Sequence, residues 1–220
     1  MLVVVLVAVG WLLLVRYDAV QGSSRSDRPR GSGVAATQAR SLASFSGVEL
    51  AGSNIVTIHA GSKQSVVVHA DDNLLRRVTT EVRGGSLVIG NSGSFDTESP
   101  MSVEVTVPSL DTLTLSGSGT LTADAVQAEQ LTVTLSGSGV VRASGSVTRL
   151  DVSLDGSGDV QLEDLVARDA KAALNASGRI LVNATNTLEA SVHGSGVIVY
   201  EGSPGHVTTS VTGSGVVTHG

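Results

Sequence analysis

Cysteine is absent from these 220 residues. That excludes disulfides, thiol catalysis, cysteine-ligated metals and lipid attachment through an N-terminal cysteine. Aromatic residues are scarce: Trp11, Tyr17, Phe45, Phe95 and Tyr200 are all there are. An ordinary globular core leans on aromatic bulk, so a narrow core filled by Val, Leu, Ile and Ala is the alternative. The same scarcity argues against a sugar-binding groove built on ring stacking. Basic residues are outnumbered, and the formal net charge is −6. Nucleic-acid binding needs clustered cations against phosphate, and the chain has none. His59, His69, His193, His206 and His219 are scattered with no pair at metal-ligand spacing, so neither a metal nor a cofactor is expected.

Glycine is abundant, with 26 copies. The tripeptide Gly-Ser-Gly stands at Gly117–Gly119, Gly137–Gly139, Gly156–Gly158, Gly194–Gly196 and Gly213–Gly215, and Ala176-Ser177-Gly178 fills the one gap. The steps are 20, 19, 20, 18 and 19 residues, a period that marks a repeat architecture. Two residues before each tripeptide stand Leu115, Leu135, Leu154, Leu174, Val192 and Val211. Two residues after stand Leu121, Val141, Val160, Ile180, Ile198 and Val217. The intervening segments alternate apolar with polar, as in Thr112-Leu113-Thr114-Leu115, the period of a strand rather than a helix. Stacking coils about 4.8 Å apart aligns these aliphatic positions in inward columns that no single repeat could bury alone. The fold expected is all-β, a parallel β-helix (β-solenoid) with about 19–20 residues per coil. Glycines serve its corners, and the middle serines are expected to form a hydroxyl ladder there.

Three regions precede or open this array. The first fifteen residues, Met1 to Val15, are uninterruptedly apolar and followed by Arg16. That is short for a membrane-spanning helix, so residues 1–22 read as a signal peptide or short N-terminal anchor. Residues 23–42, rich in Ser, Arg, Gly and Ala, read as a flexible linker. The solenoid is expected over 43–220, with irregular opening coils at 43–108 and regular coils at 109–220. The chain stops at Gly220, directly after the last tripeptide, so the final coil is expected to be uncapped.

Phe45-Ser46-Gly47-Val48, Gly85-Ser86-Leu87-Val88-Ile89, the Val103–Pro108 segment, the Gly-Ser-Gly coils and Val197-Ile198-Val199-Tyr200-Glu201-Gly202-Ser203-Pro204 together resemble a known family. It is the auto-transporter adhesin head, or GIN domain, of bacterial exported proteins, and the likeness runs over roughly residues 42 to 220. The resemblance implies a right-handed β-helix in the periplasm, at the outer membrane or on the cell surface, with an adhesin-like role. The missing cysteine departs from the lipoproteins common in that family.

Binding is expected on outward columns beside the core: Thr114, Thr134, Ser153 and Ser210 in one, and Ser116, Ser136, Asp155, Asn175, His193 and Thr212 in another. Small hydroxyls also suit any soluble strand surface. The tripeptide serines lack a basic partner at fixed offset, so nucleophilic catalysis is not expected. Asp151, Asp155, Asp159, Glu163 and Asp164 cluster as carboxylates do in polysaccharide-active β-helix enzymes. Coil stacking sets Asp159 beside Arg179, and an ion pair accounts for it. The expectation is therefore a non-catalytic exported binding module without cofactor. Its partner would be a surface glycan, a protein ligand or an envelope protein. The alternative is a scaffolding protein that self-associates through solenoid ends. Membrane contact is expected only through the N-terminal segment.

Overall fold

Why the chain coils is visible in the regular repeats, where inward aliphatic and outward polar residues alternate until a corner interrupts them. This computed structural model describes residues 28–220; the apolar leader, its boundary at Gly22 and the first linker residues lie outside them. In chain order the strands are β1 (Ala35–Arg40), β2 (Gly47–Gly52), β3 (Ile55–Ala60), β4 (Ser65–Asp71), β5 (Val78–Arg83), β6 (Ser86–Asn91) and β7 (Ser102–Val107). They continue as β8 (Thr112–Gly117), β9 (Thr120–Gly137), β10 (Val140–Gly156), β11 (Asp159–Ala176), β12 (Arg179–Gly194), β13 (Val197–Gly202), β14 (His206–Gly213) and β15 (Val216–His219). All belong to one continuous sheet, wound into a parallel β-solenoid of about five turns.

Successive coils lie parallel and in register. Thr112 stands beside Thr132, then come Asp151, Lys171, Glu189 and Thr208. Three corners divide each coil. The Gly-Ser-Gly corner is the first. The second falls near Asp124–Ala125 in β9, where Ala125 has φ +57°, and at Gly145 in β10. At the third, two successive residues face away from the core: Glu129-Gln130, Thr148-Arg149 and Arg168-Asp169. Every change in coil length is absorbed away from the tripeptides, since register shifts occur only at Ala143/Gly145, Leu162/Val166 and Ala167/Asp169 and their neighbours. Side A leads into the tripeptide, side B leaves it, and side C closes the loop.

The tripeptide geometry has a separate cause for each glycine. The first position adopts φ between +113° and +144° at Gly117, Gly137, Gly156, Gly194 and Gly213, a region open to glycine. The second glycine is buried in every tripeptide but the last, where Gly215 is half-buried, because the previous coil fills its side-chain space. A Cβ on Gly139 would lie 2.6 Å from both the Gly119 carbonyl oxygen and Leu115 Cδ2. The middle serines face solvent, and the expected hydroxyl ladder is replaced by a main-chain one. The amides of Ser138 and Gly139 both donate to the Gly117 carbonyl, at 3.1 and 3.0 Å.

Ten of the twelve flanking aliphatics are fully buried. Burying one such side chain contributes about 1.5–3 kcal/mol. The two exceptions are in the last coil: Val211 is 45% exposed and Val217 half-buried. Its strand β14 is exposed along its whole length, because among the described residues no strand stacks beyond it.

The opening region differs from a plain succession of coils. β2 pairs in parallel with β6 on one side and β8 on the other, and β3 likewise with β7 and β9. The coil 47–60 is thus sandwiched between the coil 86–107 and the first regular coil. β5 runs antiparallel on the edge of β6, and β4 on the edge of β7.

The linker expected over 23–42 is not free chain in its described part. Ala35–Arg40 form β1, antiparallel to β4. The residues before it are tied to Asp71, whose carboxylate is fully buried. It accepts from the amides of Gly33 (3.0 Å), Glu98 (2.9 Å) and Ser99 (3.3 Å) and from Ser99 Oγ (2.8 Å). Burial pushes this carboxyl up, but the hydrogen bonds from Glu98, Ser99 and Gly33 outweigh it and hold it below the ordinary aspartate range.

Candidate functional site

Side A is a broad sheet face in the order β5-β6-β2-β8-β9-β10-β11-β12-β14. Parallel register makes its outward residues columns rather than a scatter. Thr114, Thr134, Ser153, Ala173, Ser191 and Ser210 are successive partners. So are Ser116, Ser136, Asp155, Asn175, His193 and Thr212. The second column, nearest the glycine corner, is exposed in every coil, and the first is half-covered until Ser210. Asn175 Nδ2 donates to Asp155 Oδ1 at 2.8 Å across the coil boundary, and His193 is the next residue in line. The candidates predicted for this surface are therefore brought together. A shallow depression of about 200 Å³ runs over Thr132, Thr134, Asp151, Ser153, Lys171 and Ala173.

The acidic cluster is not brought together. Asp151 and Asp155 lie on side A, Asp159 beyond the glycine corner on side B, and Glu163 and Asp164 at the second corner. Asp159 is in register with Arg179, but the expected ion pair is absent from those formed among the described residues. Its Oδ2 instead accepts from Gln161 Nε2 at 2.8 Å. Among the described residues no group of three His, Asp or Glu is placed to hold a metal ion.

Three carboxylates with depressed pKa escaped the sequence reading: Asp71, Asp169 and the exposed Glu81, which the hydrogen bond and charge of Arg83 hold below the ordinary glutamate range. Asp71 is described above. Asp169 accepts from Thr187 Oγ1 at 2.7 Å and Asn186 Nδ2 at 2.6 Å, and these bonds hold it below the ordinary aspartate range. It lines a groove of about 390 Å³ at the meeting of sides C and A, with Arg149, Lys171, Glu189 and His206. Lys171 Nζ and Glu189 Oε1 are 3.0 Å apart there. The signal in the sequence was weak, because Asp169 has no equivalent carboxylate one coil away.

These features, corners of small residues, an aliphatic core and a flat polar side, coincide with a known family. The model of the family described as "Putative auto-transporter adhesin, head GIN domain" matches residues 44–204. The chain belongs to this family. Solved structures share the fold. A putative adhesin from Bacteroides fragilis is 20% identical with a TM-score of 0.73, the match covering 86% of this chain and 99% of that one. A putative lipid binding protein from Parabacteroides distasonis is 25% identical with a TM-score of 0.57, covering 88% and 99%. A putative adhesin from the same species is 22% identical with a TM-score of 0.56, covering 88% and 100%. No curated protein sequence matches the chain. Among the described residues no helix is long and apolar enough to cross a membrane. As a GIN domain the chain is adhesin-like, and the last coil, from His206 onward, lies beyond the residues that the family model matches.

Proposed function

We propose that this GIN domain is a non-catalytic binding module of an exported bacterial envelope or surface protein, and that side A is its recognition surface. The observation that carries the reading is the exposed column Ser116–Ser136–Asp155–Asn175–His193–Thr212, held in register on a rigid sheet. Such a face offers hydroxyl, carboxylate, amide and imidazole groups at about 4.8 Å intervals. It suits an extended polar ligand, a surface glycan or a protein, better than a small molecule that needs enclosure. The test has two steps. Protease accessibility on intact cells, with N-terminal sequencing of the mature chain, establishes display and any start near Ser23. Glycan and protein arrays are then probed with the wild type and an Asp155→Arg/Asn175→Arg variant. Binding lost in that variant, and kept when Arg142 on side B becomes Glu, supports the reading. Binding indifferent to side A overturns it.

A second reading, envelope scaffolding by self-association, is favoured by one observation: Val207 and Val211 are 42% and 45% exposed on β14. Among the described residues no strand covers the outer edge of β14, and an uncharged free edge invites pairing with another strand.

A further inference from the structure

Buried or half-buried main-chain groups need partners, and one strand inside the molecule lacks them on one side. β9 pairs with β10 along nearly its whole length. On its other side, Thr120–Asp124 pair with β3 and Thr132–Gly137 with β8. Between them, Val126–Gln130 on side C has no strand beside it among the described residues. The cause is the interleaved opening region. β3 leaves for β4 and β7 passes to β8 through residues 108–111, so side C begins with β9. Leu110 covers the core there without pairing, and the contact from this loop to β9 is Thr132 N donating to the Asp111 carbonyl at 2.9 Å.

A groove of about 430 Å³ lies along this free edge. Its floor is Ile58, Val107, Leu110 and Val126, none more than 6% exposed, so the solenoid core itself forms the base. Its rim includes Asp124, with Glu129 exposed on the edge strand. His59 Nδ1 is 3.6 Å from Asp124 Oδ2, and Arg149 Nη2 is 2.9 Å from Glu129 Oε1.

We propose that this notch is a docking slot for an extended polypeptide strand of a partner protein, which adds to the free edge of β9. Only a polypeptide supplies alternating N–H and C=O groups at the strand repeat, the mode by which sheet edges capture peptides. Five residues span about 17 Å at about 3.3 Å each. The chemistry of the guest follows from the walls: an aliphatic side chain set over the apolar floor beside Val126 and Ala128, and a basic residue toward the exposed Glu129. A sugar or an acyl chain would leave the edge amides unpaired. The slot is separate from side A, and loss of ligand binding there would leave it unaffected.

The chain carries a template for the guest, since Gly145–Arg149 already lies along the opposite edge of the same stretch. The probe is therefore a labelled, end-blocked peptide copying residues 145–150, added to the full chain and read by amide hydrogen exchange and fluorescence anisotropy. Exchange at Val126–Gln130 is expected to slow at least tenfold on saturation while Gly145–Arg149 stays unchanged. A backbone N-methylated peptide is expected to bind at least tenfold more weakly. Ser109→Trp, at an exposed rim position, fills the groove and is expected to weaken binding to a similar degree without lowering the melting temperature. No slowing at millimolar peptide, protection at β14 and β15 instead, or unchanged binding to Ser109→Trp would each overturn the proposal.

Discussion

Ala176 is the one non-glycine residue at the first tripeptide position, and replacing it with glycine should stabilise the protein. Its φ is +133°, inside the range of its glycine equivalents, and its in-register neighbours are Gly156 and Gly194. An L-residue held in such a region costs about 1–3 kcal/mol. Glycine in its place raises the entropy of the unfolded chain and returns about 0.4–1 kcal/mol of that. The net for Ala176→Gly is a stabilisation of roughly 1 kcal/mol, which in a domain of this size raises Tm by about 2–4 °C. Gly156→Ala is the converse: φ is +144°, and a Cβ there also meets the Gly137 carbonyl oxygen. It should destabilise by about 2 kcal/mol or more. Scanning calorimetry of the three proteins side by side reads both signs. An Ala176→Gly variant that melts at or below the wild type would refute the strain argument at this corner.

Acid should release the N-terminal segment. The Asp71 carboxyl is depressed in the folded state, so its stabilisation is complete above the ordinary aspartate value of about 3.9 and is lost as pH falls through the lower folded value. Proteolysis between Arg30 and Arg40 should accelerate on acidification below about pH 4, and Asp71→Asn should make it fast already at neutral pH; a wild type equally resistant at both would count against the lock. Leu135→Ala opens a cavity in the middle of the stack, where the side chain is fully buried, and should cost about 2–5 kcal/mol in chemical denaturation. A loss under 1 kcal/mol would mean that the columns repack. Self-association through the last coil predicts a concentration-dependent dimer in sedimentation that Val207→Lys/Val211→Lys abolishes; a wild-type protein that sediments as a monomer at every concentration removes the scaffolding reading.

The regular coils were legible because both the tripeptide and its aliphatic flanks recur at one offset, so a local pattern reports a stacked neighbour. The outward columns followed for the same reason: Asp155, Asn175 and His193 share a position relative to their corners. The second corner was not legible. Asp124-Ala125, Ser144 and Glu163-Asp164 differ in number and type, and without a fixed offset there is no period to detect. β1 escaped because Ala35–Arg40 is mostly exposed and is held through main-chain pairing, which leaves no apolar alternation. The free edge of β9 escaped for a different reason. It is created by the order in which coils stack, and Val126–Gln130 reads like its equivalents in β10 and β11.

That stacking order also governs how the chain can be assembled. Residues 47–60 gain pairing along both edges only after 86–107 has folded back on one side and 112–124 has arrived on the other. A chain delivered N-terminus first therefore holds β2 and β3 without their full set of partners until Asp124 has emerged. Long-range pairing of this kind is slow and exposes sticky edges meanwhile. The regular coils can grow one upon another once a first layer exists, but that layer is a three-part closure. Such a closure is the long-range step that this topology makes slow, and the edges of β2 and β3 stay open to other strands until it is complete.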